Sequence, residues 1–208
     1  MGNVTINCHS SIRIESKKIL YFDPFKIKER TNDADIIFIT HSHYDHFSIE
    51  DIDKVKKAGT VYVMPKSMLK EALNKGFKRD SIIPMEEDAL FYMGDIEVQS
   101  VAAYNINKPF HPKKENWLGY VVKVDGIKYY IMGDTDETEE ALNVDCDTVL
   151  IPIGGKYTFD YKEAAAFVNK LNPKAAIPTH YGDITGKATD GESFKELVNP
   201  TIEVKLII

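Results

Sequence analysis

Cysteine, arginine and tryptophan are scarce in this 208-residue chain, which holds two, three and one of them respectively. Two thiols, Cys8 and Cys146, cannot build a disulfide framework. Each lies in or beside a strand-like run, where a thiol behaves as a small apolar side chain. With so few arginines and a net charge of −6, the chain lacks the clustered positive charge that a polynucleotide track requires. Its one dense basic stretch holds Lys108, Lys113 and Lys114. No apolar run approaches the length of a membrane span and no basic-then-apolar leader opens the sequence, so membrane insertion and export are not expected and the cytoplasm is the default compartment. No Gly/Ser-rich or Pro-rich linker interrupts the chain. With 43% hydrophobic residues it can bury a substantial core, and residues 1–208 read as one domain.

Against this background, residues 40–46, Thr-His-Ser-His-Tyr-Asp-His, concentrate metal-ligating side chains just past the apolar run Ile36-Ile37-Phe38-Ile39. Side chains two apart on an extended segment point the same way, so His41 and His43 are placed to share one ion. The chain, turning, then offers Asp45 and His46 to a second. A solvated capping loop explains Ser48, which reads as an N-cap with Asp51 three positions on and Ile49, Ile52 and Val55 following at helical spacing. It does not explain four ligand-type residues before it.

The His-x-His-x-Asp-His run after a buried strand resembles the signature of the metallo-β-lactamase fold superfamily, and the small single-domain chain resembles its ascorbate-6-phosphate lactonase-like branch of metal-dependent hydrolases. The resemblance implies a four-layer αβ/βα sandwich of α+β class, two mixed sheets with helices outside. It also implies three further ligands in order, which this chain offers as His111, Asp134 and His180. Asp134 and His180 follow strand-like runs, Tyr129–Met132 and Ala175–Pro178; His111, between Pro109 and Pro112, has the context of an ordinary loop histidine. By the same resemblance, His9 and Asp23 stand beside the ligands, although Asp23 before Pro24 also reads as a turn residue. The implied arrangement gives His41, His43 and His111 to one ion, Asp45, His46 and His180 to the other, and Asp134 to both.

Periodicity and turn chemistry predict strands near 4–7, 11–14, 18–22, 35–40, 60–64, 89–93, 95–103, 117–124, 127–132, 147–151, 175–179 and 202–207, and helices over 48–58, 66–75, 137–143, 160–171 and 190–198. The helix at 160–171 is the best marked: Asp160 as N-cap, Glu163 at the capping-box position, and Ala164, Phe167, Val168 and Leu171 on one face. Asp35–Met64 and Cys146–Gly182 repeat one theme, strand then loop then helix then strand.

Two divalent ions carry +4; Asp45, Asp134 and a bridging hydroxide return −3, leaving about +1 toward substrate. Hydrolysis of a small ester, lactone or phosphoester by metal-activated hydroxide is the expected reaction, with Asp45 or Asp134 steering the proton. Asp136, in the same acidic stretch, is expected to matter much less than Asp134. Zinc suits the donor set best; manganese, iron and nickel are compatible. Lys156 and Tyr157, after Gly154-Gly155 and before a capped helix, are candidates for the anionic end of a small-molecule substrate, or else Lys156 is a solvated turn lysine. Trp117, Tyr104, Tyr181 and Phe110 either line the pocket mouth or pack in the core. A phosphodiesterase or nuclease-like activity is the alternative. A di-iron redox protein is disfavoured, because His43 stands where flavodiiron relatives place a glutamate.

Overall fold

The structure, a computed structural model, describes residues 3–208. Its elements run β1 (Asn3–Cys8), β2 (Ser11–Glu15), β3 (Ile19–Phe22), β4 (Ala34–Phe38), α1 (Ile49–Val55), β5 (Lys56–Pro65), α2 (Leu69–Asn74), β6 (Ile82–Met85), β7 (Leu90–Met93), β8 (Ile96–Ala102), β9 (Leu118–Val124), β10 (Ile127–Ile131), α3 (Glu139–Leu142), β11 (Thr148–Pro152), α4 (Tyr161–Leu171), β12 (Ala175–Thr179), α5 (Asp190–Leu197) and β13 (Glu203–Val204).

Period-two alternation divides these strands between layers. In β10, Tyr129 and Ile131 join the core between the sheets while Tyr130 turns to the other face. In β4, Ile36 and Phe38 face that same central core and Ile37 faces outward. The outward residues of β1–β6 pack with Ile52, Val55 and Ala72 of α1 and α2. Those of β7–β13 pack with Ala141, Ala164, Phe167, Val168 and Phe194 of α3, α4 and α5. The result is four layers, helices on both outer faces of two packed sheets. Each fully buried side chain of this size contributes about 1.5–3 kcal/mol of transfer free energy.

Both sheets are mixed and built alike. The first runs β1-β2-β3-β4-β5-β6, antiparallel to β3 and parallel after it. The second runs β13-β12-β11-β10-β9-β8-β7, antiparallel from β7 to β10 and parallel beyond. Consequently β1, β3 and β4 point one way in the first sheet, and β8, β10 and β12 share a direction in the second. The C-terminal ends of these six strands carry the site.

The expected elements are present with three differences, one being that the last strand, expected over 202–207, covers only Glu203–Val204. The helix ends at Val55, because Lys56 already takes extended backbone (ψ 149°) and begins β5. Strand β6 was not expected: its segment Ile82-Ile83-Pro84-Met85 contains a proline, which a central strand excludes, yet β6 is the sheet's edge and needs no second set of donors. Among the described residues no helix is long and apolar enough to cross a membrane.

Candidate metal centre

All six histidines of the chain meet at this edge, each just beyond one of those strands. His9 follows β1, His41, His43 and His46 follow β4, His111 lies in the loop after β8, and His180 follows β12. Asp23 follows β3 and Asp134 follows β10. The loop after β4 folds into a tight turn in which the N–H groups of His46 and Phe47 both donate to the His43 carbonyl (3.0 and 2.8 Å). Ser48 then caps α1, accepting from Asp51 N–H at 3.3 Å. Three hydrogen bonds tie the sheets together here: His180 N–H to the His9 carbonyl (3.0 Å) and Leu118 N–H to the Thr40 carbonyl (3.1 Å), and Tyr120 Oη–H to the Ile39 carbonyl (2.7 Å). His9, Asp23 and His180 all adopt left-handed backbone (φ 56°, 46° and 58°). Each such non-glycine residue costs about 1 kcal/mol, a strain that the surrounding packing must offset.

The side chains form three overlapping groups whose ligand atoms lie within 4.8 Å of one another: His41, His43 and His111; His9, Asp45, His46 and His180; and His41, His46 and Asp134. His41 Nε2 is 3.1 Å from His43 Nδ1. Asp134 reaches both ends of the cluster, with Oδ2 3.3 Å from His111 Nε2 and 3.1 Å from His180 Nε2, and Oδ1 3.5 Å from His46 Nε2. Donor atoms bound to one tetrahedral ion at about 2.0–2.1 Å stand about 3.4 Å apart, so these separations suit a cation at the centre. The inward atoms His46 Nε2, His111 Nε2, His180 Nε2 and Asp134 Oδ1 are buried and have no hydrogen-bond partner. Four such orphans in one place are costly unless something else binds them.

The opposite ring nitrogens of His41, His46 and His111 are held, whereas His180 Nδ1 has no hydrogen-bond partner. His41 Nδ1 donates to Thr40 Oγ1 (2.9 Å), whose hydroxyl donates to Asp23 Oδ2 (2.6 Å). His46 Nδ1 donates to the same Asp23 oxygen (2.7 Å). His111 Nδ1 donates to Asn105 Oδ1 (2.9 Å), which also accepts the His111 N–H. These partners orient the three rings and turn each Nε2 inward, the usual support of a metal-bound histidine. Asp23 thus sits beside the ligands as expected. His9 goes further: it joins the ligand-type atoms themselves, its Nε2 3.3 Å from Asp45 Oδ2 and its ring tilted by 40° against that of His180 with centroids 3.6 Å apart.

Electrostatics agrees with a waiting cation. Burial pushes His41 well below the ordinary histidine value and lowers His43 and His9, so these rings are neutral with a free lone pair. Burial alone would also lower His46, but Asp134, Asp23 and Asp45 raise it to about 9. Burial would raise Asp45, yet the His9 contact and His46 hold it at about 2. Asp134 is driven well below the carboxylate range by His180 and His46 against its burial. A cation held by His46, Asp45 and Asp134 would take the place of the proton that these acids favour on His46.

A cavity of about 230 Å³ opens onto the cluster. Tyr157 and Phe110 line it, their rings edge to face at 4.6 Å. Lys156 does not: it is exposed, and its Nζ lies 4.9 Å from the Tyr157 ring centre on the outside. Gly154 has a different purpose from anion binding, since a Cβ there would stand 2.3 Å from the His180 carbonyl oxygen. Trp117 packs its ring against His41, His43 and His111 (5.0, 4.9 and 5.6 Å). Tyr181 is buried in the outer core, and Tyr104 donates to Glu140 (2.9 Å) away from the cavity. Asp136 lies off the metal cluster but accepts from Ile106 N–H (3.0 Å) and Lys108 Nζ (2.5 Å), bracing the loop that carries His111. Burial and an Asp183 hydrogen bond raise the Cys8 thiol to about 11, and burial raises Cys146 to about 12, so neither is a nucleophile at neutral pH.

Sequence reasoning missed Thr40, whose place directly before His41 was a usable signal. It also missed Asn105, six residues from His111 in an aperiodic loop that offers none.

Fold and site together define a metal-dependent hydrolase. A family model for the beta-lactamase superfamily domain matches residues 3–180, and the chain belongs to that superfamily. It is 30% identical, over its whole length and 96% of the relative's, to a UPF0173 metal-dependent hydrolase of Pyrococcus furiosus. A solved protein of Parabacteroides distasonis assigned to the metal-dependent hydrolases has 27% identity and a TM-score of 0.81, covering 97% of this chain and 90% of that one. Igni18, a metallo hydrolase of Ignicoccus hospitalis, shares the fold at 22% identity and a TM-score of 0.78, covering 98% and 93%.

Proposed function

We propose that the chain is a two-ion hydrolase of a small ester, lactone or phosphoester, with His41, His43 and His111 as one ligand set, Asp45, His46 and His180 as the other, and Asp134 shared. The observation that carries this reading is the ring of bare, buried inward atoms around Asp134, which lies within 4.0 Å of donors from both sets. Bound divalent ions, zinc first and manganese, iron or nickel also compatible, supply Lewis-acid polarisation of the scissile oxygen and lower the pKa of the attacking water.

The chain's own residues do the rest. Thr40, Asp23 and Asn105 hold the histidines' outer nitrogens so that the inner ones need no reorganisation. Asp45 lines the cavity and, with Asp134 beside it, is placed to steer the proton of the attacking water. That water adds to the acyl carbon or phosphorus, the bond to the leaving oxygen breaks, and the proton passes to that oxygen. His9, against Asp45 and His180, steadies both. A small-molecule substrate fits the cavity's size, and the net charge of −6 argues against a polynucleotide.

The test is a panel of lactones, carbonyl esters, thioesters, phosphomonoesters and bis-phosphodiesters, assayed with zinc and then manganese. Metal-dependent turnover of a carbonyl ester or lactone is expected. Preference for bis-phosphodiesters over every carbonyl ester would favour the phosphodiesterase reading.

A further inference from the structure

The cavity over the metal cluster joins two features that charge and hydropathy patterning do not bring together. Its rim holds three large hydrophobic residues left in solvent: Tyr44 is 69% exposed, Ile184 37% and Phe110 36%. No lysine or arginine lines it. Lys26 pairs with Asp183 and lies over the Phe25 ring, Lys108 pairs with Asp136, and Lys156, exposed, lies over the Tyr157 ring at 4.9 Å without lining the cavity. The ionisable oxygens inside belong to Asp45 and Asp134. An anionic group on a substrate seated inside the cavity, away from the ions, would therefore meet carboxylates and the electron-rich faces of Tyr44, Phe110 and Tyr157, with no cation among the lining side chains.

We propose, resting on the hydrolase reading above, that the substrate presents an uncharged apolar group, about one ring or a short alkyl chain in size, seated among Tyr44, Phe110, Tyr157 and Ile184. The size follows from the volume. About 150 Å³ of apolar cavity holds a benzene, whereas drug-sized ligands need upward of about 300 Å³; the 230 Å³ here takes one ring-sized group with the scissile bond beside it. The exposed rim then has a purpose, since solvent-facing aromatic and aliphatic side chains around a concave opening lose their contact with water when such a group enters. Among the substrates open to the hydrolase reading, a neutral acyl ester or lactone bearing an alkyl or phenyl substituent fits this seat, and a phosphorylated sugar does not.

The experiment has two arms on the full chain. In the first, kcat/KM is measured with zinc-loaded protein for γ-lactones of increasing alkyl substituent, and for counterparts ending in a carboxylate. Each methylene seated should raise kcat/KM up to about fourfold until the cavity is full, and the terminal carboxylate should lower it at least tenfold. Ile184→Asp should flatten the alkyl series, and Ile184→Lys should recover the carboxylate series by about tenfold. In the second arm, binding of benzyl alcohol and of benzoate is followed by ligand-observed NMR on chelator-treated protein. Benzyl alcohol should bind, benzoate should not, and Ile184→Asp should abolish the difference.

A flat alkyl series, a preference for the carboxylate, or equal binding of the two probes would overturn the proposal. So would a concentration-dependent dimer dispersed by Ile184→Asp, which would assign the apolar rim to a second copy of the chain. If no ester or lactone turns over but benzyl alcohol binds selectively and loses that binding in Ile184→Asp, the apolar seat stands and the hydrolase reading is what fails.

Discussion

Asp23 accepts the Nδ1–H of His46 at 2.7 Å on the same carboxylate oxygen that accepts the Thr40 hydroxyl at 2.6 Å, and Thr40 in turn accepts from His41. One buried carboxylate therefore orients a histidine from each proposed ligand set. Removing the partner of a metal-bound histidine typically costs 10–100-fold in metal affinity. Asp23→Ala should weaken both ions by about that much, measured by competition with a chelating dye, while circular dichroism shows the sheets intact. Loss confined to one ion would mean that Thr40 alone suffices for His41.

Asp136 stands two residues past Asp134 and does unrelated work. Without its carboxylate the Ile106 N–H and Lys108 lose their acceptor, and the loop holding His111 slackens. Asp136→Ala should therefore keep two ions per chain and weaken one of them roughly threefold to tenfold, less than the loss of a direct histidine partner. Asp134→Ala should lower occupancy at both positions, and His111→Ala should remove one equivalent. Identical behaviour of the Asp134 and Asp136 variants in elemental analysis would contradict the assignment.

Gly154 is small because His180 crosses it. A methyl group there meets the His180 carbonyl oxygen at 2.3 Å and its Nδ1 at 3.0 Å, so Gly154→Ala must move a ligand or distort the turn. Overpacking of this kind costs about 1–3 kcal/mol. Urea denaturation of the metal-free variant should show that loss, with metal affinity reduced as well. An unchanged midpoint would mean the turn yields freely.

Glu140 accepts from Lys113 Nζ (2.7 Å) and from Tyr104 Oη (2.9 Å), fastening α3 to the loop of His111. The Lys113 contact, against partial burial, holds this carboxyl at about 2, below its ordinary 4.5. A carboxyl depressed on folding stabilises above its unfolded value and loses that contribution as pH falls through its folded one. The stability difference between wild type and Glu140→Gln should therefore be present at pH 6 and shrink between pH 4.5 and 2. Because Lys113 is exposed, salt should shrink it too. A difference that persists at pH 2 would assign it to packing.

The residues of the candidate site were legible where they stand at strand exits, because strand exits are marked by apolar runs that end abruptly. His41 to His46 after Ile36–Ile39, Asp134 after Tyr129–Met132 and His180 after Ala175–Pro178 all carried that mark. The halves Asp35–Met64 and Cys146–Gly182 were legible as parallel units for the same reason, and they became β4-α1-β5 and β11-α4-β12. What stayed hidden depends on contacts between segments far apart in the chain. Asn105 reaches Tyr157 as well as His111, and Trp117 meets three histidines; no local period encodes either. Lys156 was marked by the glycines before it; of these, Gly154 answers to the close crossing of His180, and the exposed lysine lies over the Tyr157 ring and is not among the residues lining the cavity. β6 was masked by Pro84, tolerated only because the strand is an edge.

The central claim is a two-ion centre, and the chain's one tryptophan reports on it from beside His41, His43 and His111. Chelator-stripped protein should be titrated with zinc while Trp117 fluorescence is followed, and the metal retained after dialysis counted by elemental analysis. Close to two ions per chain are expected, with a fluorescence change that tracks the ion held by those three histidines and disappears in His111→Ala. Protein that retains neither zinc nor manganese, with Trp117 unmoved throughout, would contradict that claim.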